Sequence, residues 1–172
     1  MDTEAVKALL IGIEAEKESL RRYLGSAWTT RDPAGRAMFI RLATDEFEHM
    51  RLLEGQQASL ERSGAWQPVE VPPSFIEELV PKLSKASLRI RGTSGQNDRS
   101  ALEEALELET RARDFYYRQA RSADSDAART MFSRLADMEQ AHVELVQAEL
   151  DNIQRDGFWF GMQEFTLESE RT

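Results

Sequence analysis

Two histidines occur in the chain, and each closes a Glu-x-x-His: Glu46-Phe47-Glu48-His49 and Glu139-Gln140-Ala141-His142. Both motifs lie in apolar-periodic runs that read as helix, so the glutamate and the histidine three positions later share one face. Glu16 precedes Glu46 by 30 residues, and Glu109 precedes Glu139 by the same 30. A carboxylate can bridge two cations and balance their charge, whereas a neutral imidazole offers one lone pair and caps one ion. Two copies of "Glu, then Glu-x-x-His" therefore suit a dinuclear metal site. One such motif alone would read as an ordinary exposed helical pair, but here both histidines obey the same frame.

Burial sharpens that reading. Four carboxylates converging in an apolar interior repel one another, and become protonated or open the bundle unless a cation compensates them. Six protein ligands for two ions leave coordination positions open, which suits iron, or manganese, better than the closed tetrahedral site of structural zinc.

Four helices are needed to aim these side chains inward. Residues 3–27 read as the first, with Leu9, Ile13, Leu20, Tyr23, Leu24 and Ala27 as its apolar stripe and Glu16 on that stripe, where a surface helix would carry no charge. Glu14 and Glu18 flank it as solvent-facing charges. Asp32-Pro33 supplies an N-cap and a first helical residue for a second helix to about residue 62, carrying Phe39, Leu42, Glu46, His49, Met50 and Leu53, with Gly64 closing it. Between 64 and 98, Pro68, Pro72 and Pro73 interrupt the chain, Ser74 can cap a short helix to about residue 86, and Gly92, Gly95, Asn97 and Asp98 mark another turn. A third long helix is expected at about 99–122, with Leu102, Leu106, Glu109, Tyr116 and Ala120 inward. The fourth is expected at about 125–154, with Phe132, Leu135, Glu139, His142, Val143 and Val146 inward.

Short loops within each hairpin and a long crossover between the second and third bundle helices predict an all-α, ferritin-like four-helix bundle over residues 1–156. Residues 157–172 form a short aromatic extension containing Phe158, Trp159, Phe160 and Phe165, with Gly157 and Gly161 permitting a turn. This tail either covers the end of its own bundle or a dimer mate, or presents an adhesive patch.

An internal repeat accompanies the motifs. An offset of 93 residues carries Glu16 to Glu109, Tyr23 to Tyr116, Ala27 to Ala120, Met38 to Met131, Phe39 to Phe132, Leu42 to Leu135, Ala43 to Ala136, Glu46 to Glu139 and His49 to His142 without a gap. Two similar hairpins related by an approximate two-fold axis would place equivalent ligands around equivalent metals. Tyr23 and Tyr116 each follow a proposed ligand by seven residues, two turns on the same face. Each either donates a hydrogen bond to a metal-bound carboxylate of the opposite hairpin, or is a core aromatic with its hydroxyl satisfied elsewhere.

Composition narrows the remaining classes. At 172 residues and 41% hydrophobic content the chain fits one domain with a substantial core. It has no cysteine, which excludes disulfides, thiolate nucleophiles and protein-ligated iron–sulfur clusters. A net charge of −9 argues against nucleic-acid binding, which needs clustered positive charge. No run approaches the roughly 18 apolar residues of a membrane span, and the Met-Asp-Thr-Glu start lacks a secretory signal, so a cytoplasmic protein is expected.

Glu16-Lys-Glu-Ser-Leu-Arg-Arg-Tyr23 and Glu109-Thr-Arg-Ala-Arg-Asp-Phe-Tyr116, each followed by its Glu-x-x-His, resemble the diiron domain of the rubrerythrin family over roughly residues 3–154. The resemblance implies Glu16 and Glu109 as terminal ligands, Glu46 and Glu139 as bridging ligands, and His49 and His142 as one nitrogen ligand per iron. It implies an oxidoreductase acting on peroxide or O2, expected as a homodimer. Two features depart from the family's peroxidases: Ala112 stands where they carry an extra carboxylate, and the chain lacks their four-cysteine rubredoxin domain. Reduction would then come from an external donor such as a rubredoxin or reductase. Ferroxidase or ferritin-type iron handling, and a helical interaction protein with a structural metal, are the alternatives.

Overall fold

The protein is described by a computed structural model covering residues 3–68, 70–71, 73–83, 96–157 and 159. Among these residues the chain forms α1 (Thr3–Thr29), α2 (Pro33–Ser63), α3 (Phe75–Leu83), α4 (Gln96–Ser122) and α5 (Asp126–Asp156). The helices α4 and α5 begin and end 93 residues after α1 and α2, so the repeat holds for element boundaries as well as side chains. Within each hairpin only three residues link two long, mutually packed helices, which makes them antiparallel neighbours. The two hairpins meet through α1 and α4, and α3, in the crossover, packs on α5. This is the expected ferritin-like bundle.

Local chemistry sets the helix ends. The Asp32 carboxylate accepts from the backbone N–H groups of Ala34 and Gly35 at 2.8 and 3.3 Å, and its repeat equivalent Ser125 accepts from Ala128 at 3.4 Å. Gly64 and Gly157, also 93 residues apart, end α2 and α5 at φ 69° and 75°, a conformation that costs glycine nothing. In α3, Ser74 and Glu77 form a reciprocal capping box. Two arginines at equivalent repeat positions grip this turn. Arg134 forks onto both carboxylate oxygens of Glu77 at 2.5 Å, and Arg41 lies over the Phe75 ring, 4.2 Å from its centroid.

The core is divided. One apolar cluster contains Tyr23, Met38, Phe39, Leu42, Leu102, Val146 and Trp159; the other contains Leu9, Ile13, Leu53, Tyr116, Met131, Phe132 and Leu135. Along each long helix the ligand candidates lie where the stretch feeding one cluster gives way to the stretch feeding the other, whereas the buried Glu149 of α5 lies apart from them. The clusters mirror each other: Tyr23 stacks on Phe39, with Trp159 edge-on to Phe39, and Tyr116 stacks on Phe132, with Trp66 edge-on to Phe132. Trp66 and Trp159 are themselves 93 residues apart, which extends the repeat beyond the histidines.

Three expectations need correction or delimitation. Leu24 is 52% exposed rather than part of the α1 stripe, because it lies about 100° round the helix from Tyr23, on the side shared with Trp28 and Ile40. Asn97 and Asp98 belong to the first turn of α4 instead of a preceding turn; an acidic residue there complements the helix dipole, and Asp98 accepts from Trp159 Nε1 at 3.3 Å. The end of the short crossover helix to residue 86, Gly92 and Gly95 lie outside the described residues, as do Phe158, Phe160, Gly161 and Phe165 of the tail. No helix among the described residues is long and apolar enough to cross a membrane.

Candidate metal centre

All six ligand candidates meet in the polar layer between the two clusters, each at most 1% exposed. His49 Nδ1 lies 3.0 Å from Glu139 Oε1, 3.4 Å from Glu46 Oε2 and 3.8 Å from Glu16 Oε2. His142 Nδ1 lies 3.3 Å from Glu46 Oε1, and 3.4 Å from both Glu109 Oε2 and Glu139 Oε2. The imidazoles are nearly parallel, at 17°, with centroids 5.4 Å apart. Glu46 and Glu139 thus each turn one oxygen to one histidine and the other oxygen to its counterpart.

Two overlapping donor groups result, each with one atom per residue within 4.8 Å of the rest: Glu16, Glu46, His49 and Glu139, and Glu46, Glu109, Glu139 and His142. They share Glu46 and Glu139, the residues from the two Glu-x-x-His motifs. Either group could hold a cation.

The tyrosines cross between hairpins. Tyr23 on α1 donates to Glu109 Oε1 on α4, and Tyr116 on α4 donates to Glu16 Oε1 on α1. In Glu16 and Glu109 one oxygen is thereby occupied and the other faces a histidine. Burial, followed by the adjacent carboxylates, pushes both phenols well above their ordinary range, so they remain neutral donors.

Asp45 is a residue that the spacing argument passed over. It is buried, and its Oδ2 faces His142 Nε2 at 3.4 Å. Burial alone would raise this carboxyl, but His142 holds it below the usual range, so the acid accepts and Nε2 donates. A cue was present, since Asp45 lies three residues after Leu42 on the buried stripe. Its repeat equivalent, however, is Met138, so the repeat does not mark this position.

Without cations the site distributes protons. Burial, then repulsion from Glu139 and the other carboxylates, drives Glu46 well up. Burial is also the first cause at Glu109, with Glu139 adding and His142 opposing, and takes it to about 8. For Glu139 burial is outweighed by the two histidines, which pull it well down. Burial favours neutral imidazoles, yet the field of Glu139 at His49 and of Glu109 at His142 raises both. Glu46 Oε1, both Glu139 oxygens, His49 Nδ1 and His142 Nδ1 are buried with no hydrogen-bond partner. Buried polar atoms are nearly always satisfied, so a convergent set of orphans with acidic and imidazole character fits a cation pair.

A cavity of about 500 Å³ reaches this layer from the crossover side, lined among others by Arg41, Asp45, His49, Ser74 and Met138. Fold and site together define an all-α, ferritin-like bundle with two buried carboxylate–histidine clusters of diiron type. No family model matches the chain, and no curated protein or solved structure matches it.

Proposed function

We propose that the protein is a non-haem diiron oxidoreductase of rubrerythrin type that reacts with peroxide or O2. The observation that carries this reading is the sharing of Glu46 and Glu139 between the two donor groups, with one oxygen of each facing each histidine. Glu16 and Glu109 would serve as terminal ligands, and His49 and His142 would each give one nitrogen to one iron; a ferrous pair held there would supply one electron per ion to the oxidant. The chain's own part is to hold that pair in a water-poor layer, orient Glu16 and Glu109 through the crossed tyrosines, and balance the charge with the shared carboxylates. Manganese fits the same donor set.

These 172 residues contain no cysteine and so no thiolate-ligated iron; for turnover the proposed electron source is a donor such as a rubredoxin or reductase. The protein is proposed to act as a homodimer, for which the exposed apolar side chains of Leu24, Trp28 and Ile40 provide surface. Ferrous oxidation without peroxide turnover is the second reading. Ala112 favours it: this position packs with the apolar cluster around Tyr116 and offers no further carboxylate.

Diffraction at the iron edge from iron-loaded protein, combined with mixing of the reduced protein with limiting peroxide or O2, tests the proposal. Two irons between these six side chains and oxidation by either reagent are expected. One metal, or metals elsewhere, would overturn the assignment. Two correctly placed irons inert to both oxidants would leave only a structural metal.

A further inference from the structure

Nearly everything around the centre obeys the 93-residue repeat, including ligands, crossed tyrosines, aromatic stacks and caps. The distal nitrogens of the two histidines do not. His142 Nε2 is anchored by Asp45 at 3.4 Å, and Asp45 lines the same cavity as Ser74 at the start of α3. His49 Nε2 is buried and has no hydrogen-bond partner. The position equivalent to Asp45 on α5 is Met138, whose thioether is at best a weak acceptor. His49 also lines the cavity under the crossover, together with Met138.

From these contacts we infer that the two metal positions are inequivalent, the Glu109/His142 position being the tight one and the Glu16/His49 position the exchangeable one. The inference rests on the diiron reading above and adds the order in which the positions fill. Asp45 is a positioning residue: by accepting from Nε2–H it fixes the ring and leaves the Nδ1 lone pair toward the carboxylates, where a cation would sit. His49 has no such anchor at Nε2, and it is one of the residues lining the cavity under the crossover. The physical origin lies in the repeat itself: it sets Asp45 on α2 in register with Met138 on α5, so of the two histidines only His142 meets a carboxylate at Nε2.

The test uses the full chain and Co(II) as probe, titrated from metal-free protein and followed by visible absorption, with anomalous diffraction after one equivalent. Wild-type protein is expected to bind two equivalents stepwise, the first at Glu109/His142. Asp45→Ala should weaken that position by about 10–100-fold and abolish the preference, whereas Asp45→Asn, which keeps an oxygen acceptor, should retain the order. Met138→Asp should tighten the His49 position, so that the first equivalent divides between the two. Two equivalents binding with no preference, or the first at His49, would overturn the inference and leave the dinuclear reading intact. No binding at the six side chains would overturn both. If Asp45→Ala fails to fold, the wild-type filling order and Met138→Asp decide the matter.

Discussion

Tyr116 donates its hydroxyl to Glu16 Oε1 across the junction of the two hairpins, while Glu16 Oε2 faces His49 Nδ1 at 3.8 Å. The same relationship joins Tyr23 to Glu109. Removing either hydroxyl leaves a buried carboxylate oxygen without its donor, at a cost of about 1–3 kcal/mol. Tyr116→Phe is therefore expected to lower stability by that amount in metal-free protein and to weaken metal binding beside Glu16 and His49 by about tenfold. Tyr23→Phe should do so beside Glu109 and His142. Urea denaturation and metal titration of the two variants check both effects; weakening of the same position by both substitutions would contradict the crossed assignment.

The shared carboxylates should behave differently from the histidines. Glu46→Ala and Glu139→Ala each remove a residue common to both donor groups and are expected to empty both positions, while His49→Ala should empty mainly one. Elemental analysis and crystallography of the loaded variants provide the count. Loss of a single ion in all three variants would show that neither glutamate bridges.

Peroxide chemistry should depend on a donor. Reduced, iron-loaded protein is expected to be oxidised once by limiting peroxide and to turn over only when a reductase with rubredoxin, or a small chemical reductant, is added. Stopped-flow absorption resolves the single event from turnover. Rapid O2-driven ferrous oxidation with accumulation of hundreds of irons per assembly would instead point to storage.

Gly35 faces Trp159 so closely that an added Cβ would lie 2.4 Å from ring atom Cε2. Gly35→Ala is expected to destabilise the fold by about 1–3 kcal/mol through overpacking, and to shift tryptophan fluorescence as Trp159 leaves Phe39. Gly55 in α2 has nothing within 4 Å of its added Cβ, so Gly55→Ala should stabilise by about 0.5–1 kcal/mol. Denaturant midpoints for the two alanine variants should move in opposite directions.

The clamp on α3 predicts a pH dependence. Burial tends to raise the Glu77 carboxyl, but its hydrogen bonds with Arg134 outweigh that and hold it below the usual range. A carboxyl depressed on folding contributes stability in full above its unfolded pKa, about 4.3, and loses it as pH falls through the lower folded value. The stability gap between wild type and Glu77→Gln should thus be about 1 kcal/mol near neutral pH, reduced from the dry value by solvent screening, and should close as pH falls through the lowered folded value. Chemical denaturation across that range measures the gap; a gap that widens on acidification would refute the pairing.

Much of this protein was decided locally. Periodicity, the Asp32-Pro33 start, the Gly64 stop and the 93-residue repeat specify four long helices in two hairpins, because caps and apolar stripes depend only on residues within a turn or two. The six side chains of the two buried carboxylate–histidine clusters were legible for the same reason: Glu16 sits on an apolar stripe, and each Glu-x-x-His spans one turn. Tertiary structure alone decided which tyrosine meets which glutamate, since those partners are 86 and 100 residues apart. It alone revealed that Leu24 lies off the seam, because a 3.6-residue period leaves the neighbour of a buried position ambiguous until a second helix packs against it. Asp45 shows the limit most clearly. Its charge and position were visible, yet its role depends on His142, 97 residues away, a contact that only the packing of the two hairpins creates.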